Sequence, residues 1–315
     1  MKIIFTFRPP RAWQGKLSMA FPEEEFSYYK SIDEAENLSE AEVIVTFGED
    51  LTEYHINSCT NLQWIMVASA GMEKMPFKAI EKRGILVTNA KGIHKIPMAE
   101  FTMGYMLNHV KRFPELLDLQ KKKIWNKRLE IGELAGKHLL VLGTGAIGTE
   151  IARLAKAFRM GTIGVNRSGH QSDCFDEIYT MDKLSMLLPE ADFIVSVLPS
   201  TDETKHLLKE KHFKAMKETA VFINVGRGDL LEDEVLMNAL QNKEIAHAYL
   251  DVFTEEPLPE KHPLWNEERV TITPHISSVT SEYVPRALEI FMHNLEIYKE
   301  NGSDYENKVN LKKGY

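Results

Sequence analysis

Cysteine is nearly absent from this 315-residue chain: Cys59 and Cys174 stand far apart and form no Cys-x-x-Cys spacing. That excludes a disulfide framework and a thiolate zinc site, and the usage suits a reducing, cytoplasmic compartment. Basic runs are equally scarce. The longest is Lys121-Lys122-Lys123, and 38 Lys and Arg against 46 Asp and Glu leave a formal net charge of −8, which is no footprint for nucleic acid. No apolar window nears the ~20 residues that span a bilayer. Residues 1–7 reach Arg8 and Pro9 without a small-residue cleavage site, so neither a signal peptide nor a membrane partner is expected. The eleven histidines include no His-Glu-x-x-His or related spacing, so no metal is expected. Repeats and low-complexity segments are missing as well.

What is present is an ordinary globular composition, 43% hydrophobic and 27% charged, long enough for two domains with separate cores. Short apolar runs at 2–7, 43–47, 62–67 and 85–89 alternate with helix-like segments at 23–31, 52–59 and 76–82, a βαβ repetition that implies a parallel sheet. A long helical stretch from 97 to about 125 reads as a connector, with Pro97 near its start, where a missing N–H costs nothing. Six further strands are expected at 138–142, 162–165, 193–198, 220–225, 247–253 and 270–273, with helices at 147–158, 183–188, 209–216 and 232–241 and a last one at 282–300.

The expected fold is therefore α/β, two doubly wound parallel-sheet (Rossmann-like) domains with a cleft between them. Residues 1–97 plus 282–315 would form a flavodoxin-like substrate domain, and 98–281 an NAD(P)-binding Rossmann domain inserted into it. Met98, Phe101, Met103, Tyr105, Met106 and Leu107 exceed what one helix face hides, which predicts a homodimer through the 97–121 helix or, alternatively, interdomain packing.

The apolar run 138–142 leads into Gly143-Thr144-Gly145-Ala146-Ile147-Gly148 and then a helix with Ile147, Ile151, Leu154, Ala155 and Phe158 on one face. In strand, Gly-x-Gly-x-x-Gly, helix, the first glycine permits the tight turn, the second lets backbone approach a pyrophosphate, and the third allows close helix–strand packing. A plain glycine turn or a methyltransferase site are the alternatives. About 20 residues on, NAD binding calls for an acidic side chain on the ribose hydroxyls. Here the strand ends in Asn166-Arg167-Ser168: Asn166 carries no charge, and Arg167 and Ser168 offer a fork and a hydroxyl to a 2′-phosphate. NADP is therefore expected in preference to NAD; an exposed polar turn is the alternative.

Three more residues fall at the ends of expected strands: Arg227, Glu256 and His275. Singly, Arg227 could pair on the surface and His275 could cap a strand. Together they supply a guanidinium for the carboxylate and carbonyl of a 2-oxo acid, an imidazolium to donate a proton, and a carboxylate that favours the charged imidazole.

The runs Asn-Val-Gly-Arg-Gly at 224–228, Leu-Asp-Val-Phe-Thr-Glu-Glu-Pro-Leu at 250–258 and Thr-Pro-His-Ile at 273–276 resemble the D-isomer-specific 2-hydroxyacid dehydrogenases. The likeness extends to Trp125, to 134–137 and to 198–204. It implies that Arg227 binds substrate carboxylate and carbonyl, that His275 is the acid/base and that Glu256 orients it, leaving Glu255 a solvated bystander. It further implies cofactor contacts from Gly143, Gly145, Ala146, Ile147, Gly148, Leu198, Pro199, Val225 and Gly226, a place for Asp251 at the nicotinamide carboxamide, and N–H groups of Ala70, Gly71 and Met72 around the substrate carboxylate.

Within the family the basic turn at Arg167, the 256–265 segment and the Gly314-Tyr315 end resemble the glyoxylate/hydroxypyruvate reductase branch. The loop Ala68-Ser69-Ala70-Gly71 lacks a glycine usual in the family, and Ser277-Ser278 follow the histidine. The implied function is NAD(P)H-dependent reduction of a small 2-oxo acid to its D-2-hydroxy acid. The alternatives are a dehydrogenase of a phosphorylated, phosphoglycerate-type acid, for which Lys74 is the basic group near the substrate loop, and a nucleotide-sensing homologue without enzymatic activity.

Overall fold

A computed structural model describes residues 1–69, 71–72 and 74–311. The chain divides into two units, one from Met1–Ile93 together with the chain from Thr280, the other His94–Val279. Each holds one parallel sheet.

In the first unit, β1 (Lys2–Phe5), β2 (Glu25–Tyr28), β3 (Val43–Thr46), β4 (Trp64–Val67) and β5 (Leu86–Asn89) lie in the order β2-β1-β3-β4-β5, the flavodoxin-like order. Every residue of β3 and β4 is buried, as a sheet covered on both faces requires. The Tyr283–Lys299 helix packs on this sheet: Phe291 meets Phe5 edge-on at 5.5 Å and stacks on Trp64 at 5.4 Å. Lys299 is 2.8 Å from the nearly buried Glu24 carboxylate, which also takes the Met1 amine at 2.8 Å.

Two elements here differ from expectation. Residues 23–31 are not helical; β2 pairs with β1 alone and leaves its other edge free, so its outer half stays polar and shows no apolar run. Its aromatic residues Phe26 and Tyr28 contact Phe5. The Arg11–Ala20 helix buries only Leu17, too little periodicity to announce it.

In the second unit, β6 (His138–Leu142), β7 (Gly161–Asn166), β8 (Glu177–Thr180), β9 (Phe193–Ser196), β10 (Val221–Asn224), β11 (His247–Leu250) and β12 (Val270–Ile272) run parallel in the order β12-β11-β10-β9-β6-β7-β8. The order reverses between β6 and β9, the topological switch at which such sheets bind ligands. Successive strand residues alternate between two cores. Leu140, Leu142, Ile194, Phe222 and Leu250 face one, while Leu139, Val141, Val195, Ile223 and Tyr249 face the other. Both being apolar, the strands read as unbroken hydrophobic runs. The unforeseen β8 is again an edge strand.

The connector is two helices, Lys95–Lys111 and Phe113–Lys121, separated at Arg112 with φ +55°. Pro114 sits in the first turn of the second helix, where its lost N–H is harmless, whereas within one continuous helix it would break a hydrogen bond. Met98, Met103, Tyr105 and Met106 are buried in the core of their own unit, with Phe101 and Leu107 partly buried against it. Among the described residues no helix is long and apolar enough to cross a membrane.

That helix also covers a histidine pair. His109 and His247 lie 5.7 Å apart, with Tyr249 4.6 Å from His247. Burial, His109 and Arg269 push His247 down to about 4; burial and Arg112 lower His109. His247 therefore stays neutral in the fold down to about 4 and gains its proton on unfolding near the ordinary histidine value of about 6.5. The unfolded chain therefore binds more protons between about 6.5 and 4, so stability is full above that window and falls as pH drops through it, by at most about 1.4 kcal/mol per pH unit for each proton of difference. Thermal melts should show that decline, with a shallower slope in His247→Gln; equal slopes in the two proteins would contradict it.

Candidate active site

The turn after β6 has the geometry its three glycines demand. Gly143 has φ +104°, a conformation that side chains rarely adopt. A Cβ on Gly148 would fall 1.9 Å from the Gly143 carbonyl oxygen, whereas one on Gly145 would meet nothing within 4 Å. The third glycine therefore lets the Ala146–Ala157 helix pack on the turn, and the second leaves an open approach at its N-terminus, suited to a pyrophosphate. Gly145 and Ala146 are exposed, Ile147 half-buried and Gly148 buried.

At the end of neighbouring β7, Asn166 organises the turn. Its Nδ2 donates to Thr144 Oγ1 at 2.7 Å, and its Oδ1 accepts from the N–H groups of Ser168 and Gly169 at 3.0 and 2.5 Å. An aspartate could not make the donation to Thr144 through an ionised carboxylate. Arg167 and Ser168 are exposed.

Three adjacent strands carry the other candidates. Asn224, last in β10, donates from Nδ2 to the Arg227 carbonyl at 2.9 Å and accepts the Gly226 N–H at 3.1 Å. It thus shapes the turn that presents the exposed Arg227, whose Nη1 donates to the Gly226 carbonyl at 2.8 Å. Gly228 is pressed against the chain after β11, where a Cβ would fall 1.9 Å from the Phe253 carbonyl carbon. From that chain Glu256 accepts the Phe253 N–H on Oε1 at 2.9 Å and meets His275 Nδ1 with Oε2 at 2.7 Å. His275 follows β12, about half exposed. Glu256 and His275 line a cavity of about 420 Å³ with Phe253, Leu258, Trp265 and Pro274. Arg227 is not part of that lining; it stands at the end of the next strand but one. An imidazole with one nitrogen on a carboxylate and the other ring edge exposed is equipped to pass a proton.

The remaining candidates scatter. Leu198 is buried after β9 and Pro199 exposed; Val225 is buried, and Gly226 packs where a Cβ would strike the Leu198 carbonyl oxygen at 2.7 Å. Asp251, to which the motif gave a place at the nicotinamide carboxamide, ends up among backbone donors at the end of β11. It is fully buried, and its carboxylate accepts from Ile276 N–H, Ser277 N–H and the Thr273 hydroxyl, which joins it to the loop carrying His275. That link, like the roles of Asn224 and Thr144, is absent from sequence spacing. In the first unit Gly71 donates its N–H to Ser69 Oγ at 3.2 Å, Met72 is buried, and Ala70 lies outside the described residues. Among the described residues no cluster of three or more His, Cys, Asp or Glu could hold a metal.

A sheet with a glycine turn at its switch point and an imidazole–carboxylate pair at the same strand ends defines a dinucleotide-dependent oxidoreductase as the class. The family model described as "D-isomer specific 2-hydroxyacid dehydrogenase, NAD binding domain" matches residues 103–277. The glyoxylate reductase of Aeropyrum pernix is 34% identical over 272 residues, 83% of this chain and 81% of that protein. The D-3-phosphoglycerate dehydrogenase of Methanocaldococcus jannaschii is 33% identical over 279 residues, 88% of this chain but only 53% of the longer relative. A crystal structure of a D-isomer specific 2-hydroxyacid dehydrogenase family protein from Aeromonas salmonicida is similar with a TM-score of 0.83 at 30% identity, covering 98% of this chain and 99% of that one. The chain belongs to the D-isomer specific 2-hydroxyacid dehydrogenase family and is an NAD(P)-dependent oxidoreductase.

Proposed function

We propose that the protein reduces a small, unphosphorylated 2-oxo acid of the glyoxylate or hydroxypyruvate kind to its D-2-hydroxy acid, with NADPH preferred. The observation that carries this reading is the 2.7 Å pairing of Glu256 with His275. When bound, the reduced nicotinamide supplies the hydride. Arg227 holds the substrate carboxylate and carbonyl oxygen through its guanidinium fork. His275 gives a proton to the carbonyl oxygen as it becomes an alkoxide, and Glu256, 2.7 Å from its Nδ1, fixes the ring.

The named glyoxylate reductases among the relatives support the substrate class. The phosphoglycerate-type reading keeps the support of the M. jannaschii relative, and a kinetic panel of 2-oxo acids with and without a phosphate separates the two.

His275→Ala and Arg227→Ala should each lower turnover by ~10²–10⁴ while NADPH affinity stays nearly intact, since their partners are on the oxo acid. Glu256→Gln should lower turnover less than His275→Ala does, because it weakens the 2.7 Å hold on the ring but leaves the imidazole in place. Wild-type turnover in Glu256→Gln would remove Glu256 from the mechanism.

Cofactor preference follows from the turn after β7. Asn166 removes the carboxylate that would repel a 2′-phosphate, and Arg167 offers a charge-assisted contact that NADH cannot use. Such contacts are worth ~1.5–3 kcal/mol, or roughly one to two decades of affinity. Arg167→Ala should raise the KM for NADPH and spare that for NADH; equal weakening of both would refute the assignment.

We also propose a homodimer, formed through the segment after Arg112 rather than the buried helix before it. Phe113, Leu117, Ile124, Trp125 and Ile131 are all exposed, Trp125 to 88%, a concentration of apolar surface that isolated chains seldom present. Sedimentation should give twice the 36.1 kDa chain mass, and Trp125→Ala should weaken the association. A 36 kDa species at high concentration would overturn it.

A further inference from the structure

His275 has φ +52°, a left-handed conformation uncommon for a residue with a side chain, so something outside the histidine must hold it. The loop is pinned from the neighbouring strand end. The His275 N–H donates to the Asp251 carbonyl at 2.8 Å, and the Asp251 carboxylate receives the Ile276 N–H at 3.0 Å, the Ser277 N–H at 2.9 Å and the Thr273 hydroxyl at 2.5 Å. Because Thr273 donates its only hydroxyl proton to that carboxylate, the 2.5 Å contact between Thr273 Oγ1 and Tyr105 Oη must be donated by the phenol. The polarity of the chain is therefore fixed: Tyr105 to Thr273 to Asp251.

Tyr105 belongs to the Lys95–Lys111 helix, is 6% exposed, and packs on Tyr249 at 4.6 Å and Phe101 at 5.0 Å. Burial holds its phenol above the ordinary tyrosine value, so it remains a donor. We propose that Tyr105 is a positioning residue for the reaction: through Thr273 and the buried Asp251 carboxylate it holds the loop bearing His275 in the conformation that delivers the proton. Nothing in the Glu256–His275 contact supplies this restraint, since Glu256 fixes the ring and the Tyr105 chain fixes the backbone. A network of this kind is strengthened when each donor is itself polarised, and it ties the proton donor to a packed helix instead of an exposed loop.

The inference rests on His275 as the proton donor, and the test separates the two. In the full-length enzyme, Tyr105→Phe keeps the ring packing and removes one hydroxyl. It should lower kcat for 2-oxo acid reduction ~3- to 10-fold, the value of one neutral hydrogen bond, with KM for the oxo acid and for the reduced cofactor unchanged. Thr273→Val should lower kcat at least as far, and Thr273→Ser, which keeps the hydroxyl, should restore it. In the double variant Tyr105→Phe should add nothing to Thr273→Val, because the phenol acts through that hydroxyl. Wild-type kcat in Tyr105→Phe, or effects that multiply in the double variant, would overturn the relay. Should Thr273→Val fail to fold, the Tyr105→Phe and Thr273→Ser kinetics decide it alone. If His275→Ala retains wild-type turnover, the proton-donor reading itself is wrong; if His275→Ala is inactive while Tyr105→Phe is wild type, only the relay fails.

Discussion

All seven strands of the larger sheet run the same way, and the rest of the site follows from that constraint. A parallel pair cannot be joined by a hairpin; each strand must be regained by a crossover, so every strand ends at one edge of the sheet. The glycine turn after β6, the Asn166 turn after β7, Arg227 after β10, Glu256 after β11 and His275 after β12 are therefore gathered along a single edge although 132 positions separate the first from the last. The crossovers cover both faces, which forces the strand interiors to be apolar and confines polar chemistry to strand ends.

Neighbouring strand ends then hold one another in place. Asn224 shapes the Arg227 turn, Gly228 lets that turn lie against the Phe253 backbone, the Phe253 N–H fixes Glu256, and Asp251 clamps the loop of His275. Each of these residues answers a local need: an unpaired backbone group at a strand end, or a backbone approach too close for a side chain. The left-handed backbone of His275 is tolerated because its N–H and the two that follow all have acceptors on Asp251.

Legibility in the sequence followed burial. Strands covered on both faces, such as Val43–Thr46 and Phe193–Ser196, declare themselves as apolar runs. The edge strands Glu25–Tyr28 and Glu177–Thr180 do not, since each pairs on one side and carries polar residues outward. The connector reads as one helix because apolar spacing continues through Arg112, and only the following Phe113-Pro114 marks the break. In the site, Gly143, Gly145, Gly148, Glu256 and His275 could be picked out because their chemistry is tied to motif spacing. Asp251 could be picked out from its motif, but its hydrogen bonds to the loop of His275 could not, since they depend on two neighbouring strand ends.

The sequence alone determined the two α/β units, the nucleotide turn and the residue types able to bind a carboxylate and move a proton, because these depend on local pattern: the period of burial, the glycines a turn requires, the side chains at strand ends. The tertiary structure decided which of those side chains touch. That Glu256 reaches His275, that Asn166 donates to Thr144 and that a phenol on the Lys95–Lys111 helix contacts Thr273 are contacts across 19, 22 and 168 positions. Strand order and crossover packing set those distances, and no spacing along the chain encodes them.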